Sequence, residues 1–201
     1  MDTDFEVTGS VESGCAQERH HCEKATEALK QDHRVIEQVL AVLERLARSR
    51  GKVPLEKWAK AIDFIRNFAD RCHHLKEEKI LFPALEERGI PRDGGPIGMM
   101  LMEHEEGRGY VRLMAAALVL AEEDPQGAER SLVDNAWAYL RLLQQHIRKE
   151  EEILFEMADE VLTREEQNKL LCEFEEHEAR EIGPGVHARY LKLADELERY
   201  V

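Results

Sequence analysis

Two short stretches hold the residues best suited to chemistry. CHHLKEEKILFP (72–83) sets two histidines before two glutamates, and QHIRKEEEILFE (145–156) repeats most of it. Aligned on their ILF triplets, they are offset by 73 residues. His73 then pairs with His146, Lys76 with Lys149, Glu77 with Glu150 and Glu78 with Glu151, while His74 falls on Ile147. The repeated unit is H-x-x-K-E-E-x-I-L-F. A histidine and a glutamate four residues apart lie one turn apart on one helix face, so they can reach a common centre.

Helical spacing gives a second view of which histidine matters. In steps of three and four, Trp58, Ile62, Ile65, Ala69, His73, Glu77, Ile80 and Ala84 form one stripe, apolar except for His73 and Glu77. The stripe through His74 is Asp63, Asn67, Asp70, His74 and Glu78, which reads as a solvated face. The same test puts Leu132, Ala136, Tyr139, Leu143, His146, Glu150 and Ile153 together. It also groups His33 with Leu29, Ile36, Leu40 and Leu43, and His104 with Ile97, Met100, Val111, Met114 and Leu118; Gly107 leaves room beside His104. Each of four helices thus carries one inward histidine, and two add a glutamate.

Burying a carboxylate without compensation costs several kcal/mol or forces it neutral. Two facing each other also repel, and cations between them solve both problems. Four imidazoles and two glutamates suit two metal ions, each carboxylate spanning both, with an oxo or hydroxo ligand completing the bridge. Mixed histidine and carboxylate donors favour iron, with manganese possible, over structural zinc.

The elements that must position these residues are helical throughout. Apolar spacing predicts helices over about 24–49, 54–87, 97–122 and 127–161. RGIPRDGGPIG (88–98) is a Pro/Gly-rich turn, and EEDPQG closes the third helix. Thr163 with Glu166 reads as a capping box opening a fifth helix, which IGPG (182–185) interrupts. The expectation is an all-α, up-down-up-down four-helix bundle over 23–162, preceded by an N-terminal arm (1–22) and followed by a C-terminal helical extension (163–201). His33 to His73 spans 40 residues and His104 to His146 spans 42, as a duplicated hairpin would give.

Composition narrows the partners. At 201 residues, 43% hydrophobic and 35% charged, the chain has enough apolar content for a real core. A net charge of −14 argues against nucleic acid and anionic membrane surfaces. No apolar run reaches the roughly 18 residues of a membrane span. MDTDFEVTGS lacks the layout of a signal peptide, so the chain reads as cytoplasmic, with Cys15, Cys22, Cys72 and Cys172 expected as reduced thiols.

The two motifs, with GPIGMMLMEHEE (95–106), resemble the hemerythrin family, in its bacterial HHE cation-binding branch, over roughly residues 28–160. The resemblance implies a non-heme di-iron centre held by His33, His73, Glu77, His104, His146 and Glu150, with Glu77 and Glu150 as bridges. Two departures bear on function. Oxygen-carrying members have a fifth histidine where this chain has Arg108, and an aspartate bridge five residues after the fourth-helix histidine, where Glu150 stands at four. The pattern is closer to four-histidine, two-glutamate relatives linked to stress response, nitric oxide and iron–sulfur repair. That implies a protein meeting small diatomic ligands or peroxide; the alternative is an iron or gas sensor, or an iron donor, without turnover. Further ligand candidates are His177, His187, and Cys15 and Cys22 with His20 and His21. Tyr110 and Tyr139 are candidates beside the ligands, and Met99, Met100, Met102 and Met114 for a ligand pocket.

Overall fold

The computed structural model describes residues 24–49 and 54–199, and among these every regular element is a helix. The Cys15, His20, His21 and Cys22 cluster lies outside the described residues. Helix α1 is Ala25–Arg48. Helix α2 is a continuous run: α-helical Leu55–Phe64, π-helical Ile65–His74 and Glu77–Leu81, then α-helical Phe82–Glu87. Helix α3 is Pro96–Leu120. Helix α4 joins Pro125–Lys149, a π-turn at Glu150–Leu154, and Phe155–Val161. In the extension, α5 is Arg164–His177 with a π-turn at Glu178–Ile182, and α6 is Val186–Arg199.

Local chemistry sets the boundaries. Pro96 and Pro125 sit at helix starts, where a missing N–H costs nothing. Asp124 caps α4 by accepting from the Gly127 N–H at 2.9 Å. A side chain on Gly95 or Gly98 would run into the carbonyl oxygens of Pro91 and Arg92, so the turn into α3 needs both glycines. The Thr163–Glu166 capping box opens α5. Gly183 and Gly185, both at positive φ, break α5 from α6.

Two apolar clusters flank a polar layer, and their composition fixes the topology. One holds Leu40 and Leu43 of α1, Phe64 and Phe68 of α2, Met114 of α3 and Leu132 and Tyr139 of α4. The other holds Leu29, Leu81, Ile97 and Phe155. Each helix passes from one cluster to the other, alternately forwards and backwards, so the four form an up-down-up-down bundle. The extension seals it: Leu170 and Phe174 join the second cluster, and Tyr190, Ala194 and Leu197 the first. No helix among the described residues is long and apolar enough to cross a membrane.

Two expectations need correcting. The inward stripe predicted through Ile80 and Ala84 slips by one residue: Leu81 and Leu85 are buried, and Ile80 and Ala84 only half-buried. In α4, Ile153 is 52% exposed and Leu154 is buried. The cause is the same in both. A π-turn bonds i to i+5 and inserts an extra residue, so a stripe counted at the α-helical period loses register after it. Cys72 is a buried free thiol, whereas Cys172 is disulfide-bonded, against the expectation of reduced thiols.

Candidate metal centre

The polar layer lies at the bundle's mid-height. His33 of α1, His73 and Glu77 of α2, His104 of α3 and His146 and Glu150 of α4 meet there, each at most 1% exposed. Two groups of donor atoms lie within 4.8 Å of one another: His33, His73, Glu77 and Glu150; and His74, Glu77, His104 and His146. The two glutamates tie the groups together. Glu77 places one oxygen 3.5 Å from His73 Nε2 and the other 3.5 Å from His104 Nε2. Glu150 places one oxygen 3.2 Å from His33 Nε2 and the other 3.3 Å from His146 Nε2. Each carboxylate thus spans both halves.

The donors suit a metal. All four oxygens of Glu77 and Glu150, and Nε2 of His33 and His73, are buried without a hydrogen bond, even where ion-pair distances are short. Orphans of this kind are rare in proteins and cost about 1–3 kcal/mol each. Burial, reinforced by the charge of Glu150, pushes the Glu77 carboxyl well up. Burial would raise Glu150 too, but His146 and His33 outweigh it and hold it down. His33 is raised to about 9, since Glu150 and Glu151 overcome its burial, whereas burial takes His73 down to about 3. Cations between the carboxylates would satisfy every orphan.

The far nitrogen of each imidazole is capped by a carboxylate. Nδ1 of His33 donates to Glu151 (3.0 Å), of His73 to Asp32 (3.4 Å), of His104 to Glu78 (2.8 Å) and of His146 to Glu103 (3.0 Å). Such caps fix the tautomer, leaving Nε2 to face a metal. Behind each cap stands a cation: Arg34 on Glu151 (3.1 Å), Lys76 on Asp32 (2.8 Å), Arg108 on Glu78 (2.7 Å) and Lys149 on Glu103. Sequence reasoning missed all four caps and placed Glu78 in water. A signal was available, because the repeat keeps Lys76/Lys149 and Glu78/Glu151 in step with the histidines and inner glutamates. Arg108, standing where oxygen carriers have a histidine, is occupied with Glu78 and Asp70.

His74 departs from the expectation of a solvated residue. It is 4% exposed, because the π-helical stretch Ile65–His74 turns both His73 and His74 inward. Its ring crosses that of His146 at 81° with centroids 5.6 Å apart, but its relation to His104 differs from that of the four. The His33/His73 rings lie 4.6 Å apart at 62°, and the His104/His146 rings 4.7 Å apart at 67°. Crossed planes can both contain one ion. His74 lies face to face with His104, 3.9 Å apart at 14°, and two separated parallel planes share no in-plane ion. Its Nδ1 has no cap either; the nearest carboxylate oxygen, of Asp70, is 3.7 Å away.

The other candidates fall outside the layer. His187 sits against Phe68 and pairs with Glu178 at 3.1 Å, beside Cys72. Cys72, Glu178 and His187 could hold an ion by distance, but Lys76 already donates to the same Glu178 oxygen at 2.7 Å, and its buried ammonium opposes a further cation. His177 is buried apart from all three groups. Tyr110 turns away to Glu106 (2.6 Å), whereas Tyr139 stands beside His104 on a cavity. Met99 and Met102 are exposed, while Met100 and Met114 are core residues, so none lines that cavity.

A family model for the hemerythrin HHE cation binding domain matches residues 24–158. Uncharacterised proteins of Mycobacterium bovis (Mb2018) and Mycobacterium tuberculosis (Rv1995) are each 26% identical over 175 residues, covering 85% of this chain and 68% of theirs. No solved structure gives a significant match. With two thirds of its length under the family model and a buried histidine–glutamate layer able to hold metal, the chain belongs to the hemerythrin HHE cation-binding family.

Proposed function

We propose that this protein holds two iron ions and binds or reacts with small oxidants, namely dioxygen, nitric oxide or peroxide, in a cytoplasmic stress response. One observation carries the reading: two crossed imidazole pairs share two carboxylates, each with one oxygen toward either pair. His33 and His73 would hold one ion, His104 and His146 the other, and Glu77 and Glu150 would bridge them; manganese fits the same donors. When bound, iron supplies reversible exchange between ferrous and ferric states. The chain's own residues do the rest. The caps orient each imidazole, and the apolar clusters above and below keep bulk water out.

A second reading has its own support. Asp32, which caps His73, is joined through Lys76 to Glu178 in the extension. A change at the first metal position would be felt at the extension's attachment, as a sensor or iron donor needs. Metal analysis of protein from iron-replete cells, then anaerobic titration with azide, peroxide and nitric oxide followed by absorbance, tests the main reading. About two irons per chain and ligand-dependent spectra are expected. A zinc-filled, spectrally silent centre overturns it.

A further inference from the structure

On the side of the centre away from the extension, a cavity of about 240 Å³ lies between α2, α3 and α4. Its lining includes the stacked pair His74 and His104, the apolar Ile65 and Val111, and Tyr139 with the bare backbone of Gly107. Arg66 and Arg112, both exposed, also line it. One buried polar atom of its lining residues makes no hydrogen bond: His74 Nδ1, with Asp70 at 3.7 Å.

Size is the informative property. A water takes about 30 Å³ of liquid, and dioxygen, nitric oxide and hydrogen peroxide are of that order, whereas an apolar cavity of roughly 150 Å³ accepts benzene. This cavity is larger than a diatomic needs and ends on a candidate metal ligand. Its nearby cations are largely matched, Arg108 with Asp70 and Glu78, and Arg112 with Glu105, which suits a neutral guest better than an anion.

We propose that the cavity admits an organic hydroperoxide whose body is about one benzene ring. The peroxide head lies toward His74 and His104, and the body lies against Ile65, Val111 and Tyr139. The inference rests on the oxidant reading above and names its substrate class. Reduction of such a molecule breaks its O–O bond. It takes up two electrons, lost as two ferrous ions become ferric, and two protons from solvent at the cavity mouth; an alcohol and a water leave.

The test uses the full iron-loaded chain with 2-phenyl-2-propanol, the alcohol from cumene hydroperoxide, as an unreactive probe. Calorimetry is expected to show saturable binding, weakened roughly tenfold or more by Val111→Phe, which fills the cavity. In anaerobic stopped flow, Val111→Phe slows oxidation of the ferrous protein by cumene hydroperoxide by a like factor, and leaves hydrogen peroxide within about twofold. Should the variant not fold, saturating alcohol added to the wild type makes the same distinction. Oxidation by hydrogen peroxide with no alcohol binding, or equal slowing of both peroxides, overturns this inference alone. No oxidation by either peroxide overturns this inference and removes peroxide from the reading it rests on, which then stands or falls on the azide and nitric oxide titrations.

Discussion

The two halves of the centre are built from one repeated unit yet have different surroundings. In the half of His73, the capping carboxylate Asp32 is answered by Lys76, which is 3% exposed and reaches on to Glu178 of the extension. In the half of His146, Glu103 is answered by Lys149, which is half-buried and reaches Met99 of α3 instead. The first half is sealed by α5 and α6. The second is flanked by the cavity. Identical donor chemistry thus sits in one closed and one open setting, and the difference lies in the helices packed outside the repeat rather than in the repeat.

The largest effects should ignore this difference. Because Glu77 and Glu150 each span both halves, Glu77→Ala or Glu150→Ala is expected to empty both positions, whereas His74→Ala keeps both; metal-to-protein ratios after desalting decide. Retention of one ion per chain by Glu77→Ala would show that the halves are independent. Next come the caps. Asp32→Asn and Glu103→Gln should each weaken metal binding about 10–100-fold, as loss of outer-shell partners typically does. Chelator competition would read this, and equal losses would mean that closure by the extension adds nothing to affinity.

The lysines sharpen the contrast in stability. Lys76→Met strands a buried Asp32 and should cost about 3–5 kcal/mol in chemical denaturation. Lys149→Met, at a partly exposed pair, should cost under about 1 kcal/mol. Similar costs would contradict the closed-and-open description. The smallest effect is a pH dependence of the extension's attachment. Burial would raise Glu178, but His187 and Lys76 outweigh it and hold its carboxyl at about 2, below its ordinary 4.5. Its stabilisation is therefore present above pH 4.5 and lost as pH falls toward 2. The Glu178 carboxylate holds His187 above its ordinary 6.5, so that contribution is full below 6.5 and fades as pH rises past the shifted value. The stability difference between wild type and Glu178→Gln should thus be larger at pH 5.5 than at pH 8.5; a flat difference would remove the pair from the attachment.

Much of the bundle was legible because its helices bury apolar stripes long enough to fix their phase. The stripes through Leu29, His33 and Ile36, and through Ile97, Met100 and His104, are buried as the spacing predicts. Legibility failed where the period changed. Counting at 3.6 residues per turn misplaces Ile80, Ile153 and His74, all within or beside π-turns at the polar layer. Nothing in the local residue types of EEKIL or EEEIL announces a wider turn. The caps were hidden for another reason: Glu78 and Glu151 lie off the inward stripe and become partners of His104 and His33 only across helices.

The all-helical class, the four bundle helices and the grouping of six inward side chains could be read from residue order alone, because they follow from periodicity and from a unit written twice. Which carboxylate caps which imidazole, the burial of His74 against His104, and the covering of one half while the other keeps a cavity became visible in the folded chain. Those outcomes depend on contacts between helices, whose register and neighbours are set by packing of the whole chain.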